Sequence, residues 1–165
     1  MHAQDVVKYG HLWVLKHLKD LDEKDWAAPD VCGWWSTKDI IAHLISFEKL
    51  FCDVFEVALG AELGPILTLF FSAGAAKFND SQVELRTDKS VTEILDELAN
   101  SQNKAAGFLV NIPLKTRRKT GLFPWYGAEY DLEDMITYMH YSHIREHCAQ
   151  IAIFRSSLDP NWKKG

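Results

Sequence analysis

Three imidazoles, His140, His143 and His147, fall on what should be the greasy face of the last helix, inside the run Tyr138-Met139-His140-Tyr141-Ser142-His143-Ile144-Arg145-Glu146-His147. Residues four apart on a helix lie about 40° apart around the axis and one turn along it, so His143 and His147 can aim their rings at one point. His140 sits a turn earlier on the same side, and an i, i+3 pair also converges. The stripe they interrupt is otherwise apolar: Leu132, Ile136, Met139, Ile151 and Phe154. An imidazole in a core is costly unless its ring nitrogens are bonded. A metal ion supplies that bond, and neutral imidazole is the commonest protein metal ligand.

Such a site needs a ligand from elsewhere. His43 stands at the edge of a second helical stripe made by Ile40, Leu44, Phe47, Phe51, Val54 and Ala58. Alone, His43 reads as a core histidine bonded to backbone or to a carboxylate. His143 and His147 together read as ligands, because two adjacent core imidazoles would need two separate polar partners. His11 shares a face with Val7, Val14 and Leu18 and reads as a satisfied core histidine or a pocket-lining one, while His2 and His17 read as solvent residues. Glu146 lies about 80° off the centre of the His143/His147 face, where it could orient a ligand or act as a base but reads more simply as a solvated charge. Gln102 interrupts the stripe of the third long helix, either facing a pocket or marking the edge of the buried face. Cys52 is on the far side of its helix from His43, and Cys148 is about 100° from His147. Only Cys32, in the loop before the second helix, could swing toward the site, and it reads more simply as a small, partly buried side chain.

The elements that must position these residues read as helices. Apolar positions recur at helical spacing from Val6 to Leu21, and Ser36 with Asp39 opens the second helix, which stops near Gly60. A shorter, irregular helical stretch covers Ile66 to Phe78 within a long crossover, roughly residues 60 to 89. Ser90 with Glu93 forms a capping box for the third long helix, whose stripe is Val91, Ile94, Leu95, Leu98, Ala105 and Leu109, closed by Pro113. Asp131 caps the last helix, which runs to about Ser156 before Pro160. No segment alternates as a strand. The pattern predicts an all-α, antiparallel-type four-helix bundle with residues 1–165 as a single domain. A second long connection, Asn111 to Tyr130, carries Lys115, Arg117, Arg118 and Lys119 followed by Leu122-Phe123-Pro124-Trp125-Tyr126-Gly127. Loops of that length are usually functional or disordered.

The bulk properties set limits. A chain of 165 residues with 47% apolar composition fills one core. A formal charge of −5 and a pI of 5.8 argue against nucleic acid as partner. The longest apolar run, Leu63 to Ala76, is too short and too broken by Gly64, Pro65 and Gly74 to span a bilayer. No signal peptide is visible, and three widely spaced cysteines suit reduced thiols, so a cytoplasmic protein is expected.

In Trp35-Ser36, Ala42-His43-Leu44 and His143-Ile144-Arg145-Glu146-His147 the chain resembles the DinB-like superfamily of four-helix bundles. That family shows Trp-Ser before the second helix, an Ala-His-Leu-type sequence within it and His-x-x-x-His on the last. The resemblance spans essentially the whole chain. It implies a divalent metal site with His43, His143 and His147 as ligands and the remaining positions open to water or substrate. It also makes His140 a pocket residue, a weak catalytic candidate beside Glu146. Relatives include transferases and isomerases that use small thiols. The expected function is therefore a divalent-metal-dependent enzyme, a small-thiol transferase or a hydrolase, acting on a small molecule. On this reading Lys115, Arg117, Arg118 and Lys119 either anchor carboxylates of thiol or substrate or form a solvated basic loop. The competing class is a non-catalytic bundle that binds metal or a small ligand for stability or sensing, or serves as a homodimer module. Imidazole suits zinc, nickel, iron and copper alike. Because protonated imidazole cannot ligate, metal affinity is expected to fall below about pH 6.

Overall fold

The computed structural model describes residues 2–159, so Pro160 lies outside it. Helix α1 runs Ala3–Leu18, and a 3-10 turn at Glu23–Asp25 leads to α2, Thr37–Ala58. The crossover holds α3, Pro65–Ala73, and α4, Ala75–Glu84, before α5, Val91–Asn111. A short α6, Leu114–Arg117, precedes the last helix, built from α7, Leu132–Met135, a π-helical segment, Ile136–Tyr141, and α8, Ser142–Leu158. The backbone at both junctions stays helical, so the three pieces form one rod. The fold is an all-α bundle in which α2 packs chiefly on α5 and α1 on the last helix. Among the described residues no helix is long and apolar enough to cross a membrane.

The capping signals act as the sequence requires. Ser36, Ser90 and Asp131 each accept the backbone N–H three residues on, and Asp39, Glu93 and Asp134 return the bond. The π segment is a departure from the plain α-helix expected there. π turns widen the helix and re-aim side chains, and they concentrate at functional sites. The expected irregular stretch at Ile66–Phe78 is two helices broken at Gly74, whose φ of 77° suits glycine.

The crossover is pinned from α2. Buried Asp53 accepts the N–H groups of Ile66 and Leu67 at 2.8 and 2.9 Å, capping α3 from a neighbouring helix. Gly64 leaves room for that carboxylate, since a Cβ there would lie 2.3 Å from Asp53 Cγ. Gly64→Ala is expected to cost about 2–4 kcal/mol, through overpacking and loss of charged hydrogen bonds. Urea unfolding measures it, and a loss below about 1 kcal/mol would show that the crossover yields instead.

Two apolar clusters fill the bundle. One gathers Val7, Phe51, Phe55, Leu109 and Ile136; the other gathers Val14, Ile45, Leu98, Ile144 and Ile151. On each long helix the changeover falls at polar residues: His11 between Val7 and Val14, Glu48 between Ile45 and Phe51, Gln102 between Leu98 and Ala105, His140 and His143 between Ile136 and Ile144. A polar layer thus crosses the core at mid-height.

The basic connection is anchored at one end of the bundle. Arg117 is buried and faces Glu133 at 3.5 Å and Gln4 at 3.4 Å, while Arg118 pairs with Asp131 at 3.1 Å. Lys115 and Lys119 are exposed. Phe123 is fully buried in the core, so this long connection is ordered by packing.

Candidate metal centre

A tight turn builds the rim of the site. Val31 and Cys32 donate to the Trp35 carbonyl and Trp35 donates back to Cys32, with Gly33 at φ 58° closing the turn. Ser36 then starts α2 directly, which seats the Trp35 ring 4.9 Å from that of His43. Phe47, one turn further along α2, lies 4.8 Å from His43 and 4.4 Å from His143. Aromatic walls therefore enclose the imidazoles from two sides.

The structure brings His43, His143 and His147 together. The Nε2 atoms of His43 and His147 lie 2.8 and 3.0 Å from Nε2 of His143, and all three ligand atoms fall within 4.8 Å of one another. His43 and His147 are buried and His143 is partly exposed, so the group opens to solvent over His143. His147 Nδ1 donates to Gln150 Oε1 at 2.7 Å, which leaves the Nε2 lone pair free to ligate. Burial, reinforced by the neighbouring imidazoles, lowers His43 to about 2 and His143 to about 3. Burial also lowers His147, against its bond to Gln150. Three neutral rings with lone pairs converging on one point form a donor set that fits a divalent ion, and no cysteine or carboxylate joins that group among the described residues.

The other candidates are placed differently. His140 is buried away from the triad's convergence point, with Nε2 3.0 Å from Glu48 Oε1. His11 meets the same oxygen at 3.0 Å. Glu146 is exposed, as its position off the histidine face implied. Arg117 and Arg118 do not reach the triad: their partner Glu133 precedes His143 by ten residues on one rod, about 15 Å along the axis, and the exposed Lys115 and Lys119 flank them in the same connection. His17 corrects the expectation of a solvent residue. It is 6% exposed, bonded to the Trp13 carbonyl at 2.8 Å and packed on the Trp13 ring. The aromatic neighbour on the preceding turn covers it, a contact its own helix spacing could have suggested. Burial pushes the Cys52 and Cys148 thiols up to about 12, which keeps both inert. Cys32 is only partly buried, and burial followed by the Glu146 charge raises it too.

Two contributors escaped the sequence reading. Glu48 is a carboxylate in the α2 stripe, four residues after Leu44 and three before Phe51, and that placement was its signal. Gln150 follows His147 by three residues, the spacing of a helical neighbour. A cleft of about 600 Å³ between α2, α3 and α5 is lined by Lys49, Lys89 and Glu97 and by none of the triad.

No curated protein and no solved structure matches the chain. A family profile does, over residues 14–151, which includes α2, α5 and all three triad histidines. The converging imidazoles and the helical bundle that carries them sit within that match, and the chain belongs to the DinB superfamily.

Proposed function

We propose that the protein is a divalent-metal-dependent enzyme whose centre is His43, His143 and His147, and that it transfers a small thiol to an electrophilic small molecule or hydrolyses one. The observation that carries this reading is a ligand group of three imidazoles with no fourth His, Cys, Asp or Glu among the described residues, reached from solvent over a partly exposed His143. Structural sites close their shell with four protein ligands, whereas catalytic ones keep a position open. When bound, a divalent ion there would polarise a carbonyl or lower the pKa of a water or thiol. Trp35 and Phe47 exclude water from the flanks of the imidazoles, and Gln150 fixes the His147 tautomer. The free thiols Cys32, Cys52 and Cys148 suit the reducing cytoplasm in which small thiols are abundant.

Untagged protein should carry tightly held metal by elemental analysis. A panel of small thiols with a chromogenic electrophile, and a panel of activated esters and amides, should then show turnover that chelation abolishes and metal restores. Turnover unchanged after complete metal removal would refute the enzyme reading. Bound metal with no turnover in either panel would favour the non-catalytic bundle.

A further inference from the structure

The polar layer contains a second cluster that the three-imidazole centre does not use. His11 of α1, Glu48 of α2 and His140 of the π segment place one ligand atom each within 4.8 Å of one another. Glu48 and His140 are 2% and 3% exposed. Both imidazole Nε2 atoms lie 3.0 Å from the same oxygen, Glu48 Oε1.

Hydrogen bonding accounts for that oxygen and leaves the rest of the cluster unmet. Glu48 Oε2 and His140 Nδ1 are buried and have no partner. A buried carboxylate oxygen left bare carries a large desolvation cost, and such groups normally find a donor, a water or a cation. Among the described residues no lysine or arginine pairs with Glu48. Ligands at right angles around an ion with bonds of about 2.0–2.2 Å sit about 3 Å apart, the spacing of each imidazole from the carboxylate oxygen here. Two imidazoles and one carboxylate from three separate helices are also a recurrent donor set for zinc, iron and manganese. An entry path exists: a groove of about 340 Å³ between α1 and α5 is lined by Lys8, His11, Leu12, Asn103 and Val110, and it reaches the His11 ring, which is partly exposed.

We propose that His11, Glu48 and His140 form a second divalent-cation site, so that each chain holds two ions in one polar layer, reached from opposite helix pairs. The site stands on its own residues and does not depend on the function proposed above. The π segment is what separates the two sets, because it turns His140 toward Glu48 while His143, just beyond it, faces His43.

The test is a count. Full-length untagged protein is stripped with chelator, titrated with Co²⁺, desalted and analysed for bound cobalt, with absorption spectra recorded. The expected count is two per chain in the wild type and one in each of Glu48→Gln, His11→Gln and His43→Ala. Because Glu48 is buried and its variant could fail to fold, His11→Gln provides the same reading at a partly exposed position, and circular dichroism checks both. Cobalt binding unaffected by Glu48→Gln and His11→Gln overturns the proposal and identifies the cluster as a proton-bridged histidine–carboxylate group. A single ion lost in His43→Ala but kept in the other two leaves only the three-imidazole centre standing. A single ion kept in His43→Ala but lost in the other two supports the second site and removes the first.

Discussion

Replacing His143 with alanine should weaken metal binding at the three-imidazole centre by more than about 100-fold, beyond the 10–100-fold typical of losing a residue that merely orients a ligand. His143 is the hub of the group, with its Nε2 in contact with those of both His43 and His147. Its loss leaves two ligands from two helices, which cannot fix a coordination geometry. Gln150→Ala supplies the internal standard: it frees the His147 ring to change tautomer and should fall inside the 10–100-fold range. Competition titration against a chelator of known affinity measures both. An unchanged affinity in His143→Ala would assign the ion to other residues, His140 first among them.

The second large effect is acid lability of the metal-free protein. His43 and His143 sit at about 2 and 3 when folded, held down first by burial and then by neighbouring imidazoles, against an ordinary value of 6.5. The unfolded chain therefore takes up protons that the folded chain refuses as pH falls below 6.5. Stability is complete above that value and declines continuously down to pH 3, by about 1.4 kcal/mol per pH unit for each group. Glu48 adds to the decline at lower pH. Burial opposes its charge, but the facing His140 and His11 outweigh burial and hold the carboxyl well below its ordinary 4.5. Its contribution is present above 4.5 and is lost as pH falls. Against a total stability of about 5–15 kcal/mol, two such histidines should remove about 7 kcal/mol by pH 4, a large fraction of the whole. Urea midpoints recorded between pH 7 and pH 4 test this, and a flat profile would mean the imidazoles are solvated. The same burial moves the expected fall in metal affinity toward lower pH. Rings that resist protonation remain available as ligands at lower pH, so binding should persist to about pH 5.

Much of the scaffold was legible because its signals are local. Ser36/Asp39, Ser90/Glu93 and Asp131 announce helix starts through bonds made within four residues, and the apolar stripes fix which faces turn inward. The convergence of His143 with His147 is likewise a matter of one helical turn. His43 entered the set through the family resemblance, since nothing in its own helix says which of several neighbours it will face. The unread features are those that depend on partners distant in sequence. The role of Glu48 emerges only when α1 and the last helix bring His11 and His140 to it. Arg117 looked like part of a basic loop until Glu133 and Gln4 enclosed it. The π segment has no compositional marker, and Asp53 caps a helix that begins twelve residues later.

The polar layer also has a bearing on how the helices find their alignment. The apolar clusters on either side of it are built from similar aliphatic and aromatic residues, so packing alone would tolerate a helix displaced by one turn, about 5.4 Å. Any such displacement would carry His11, Glu48, Gln102 or His140 into one of those clusters, stripped of its counterpart. Single polar residues in apolar seams are known to fix register at some expense of stability. Substituting leucine at all four positions should therefore raise the melting temperature while admitting alternative helix registers, visible as duplicated amide resonances. In the native chain the polar residues that cross the core also act as the ruler against which the bundle is assembled.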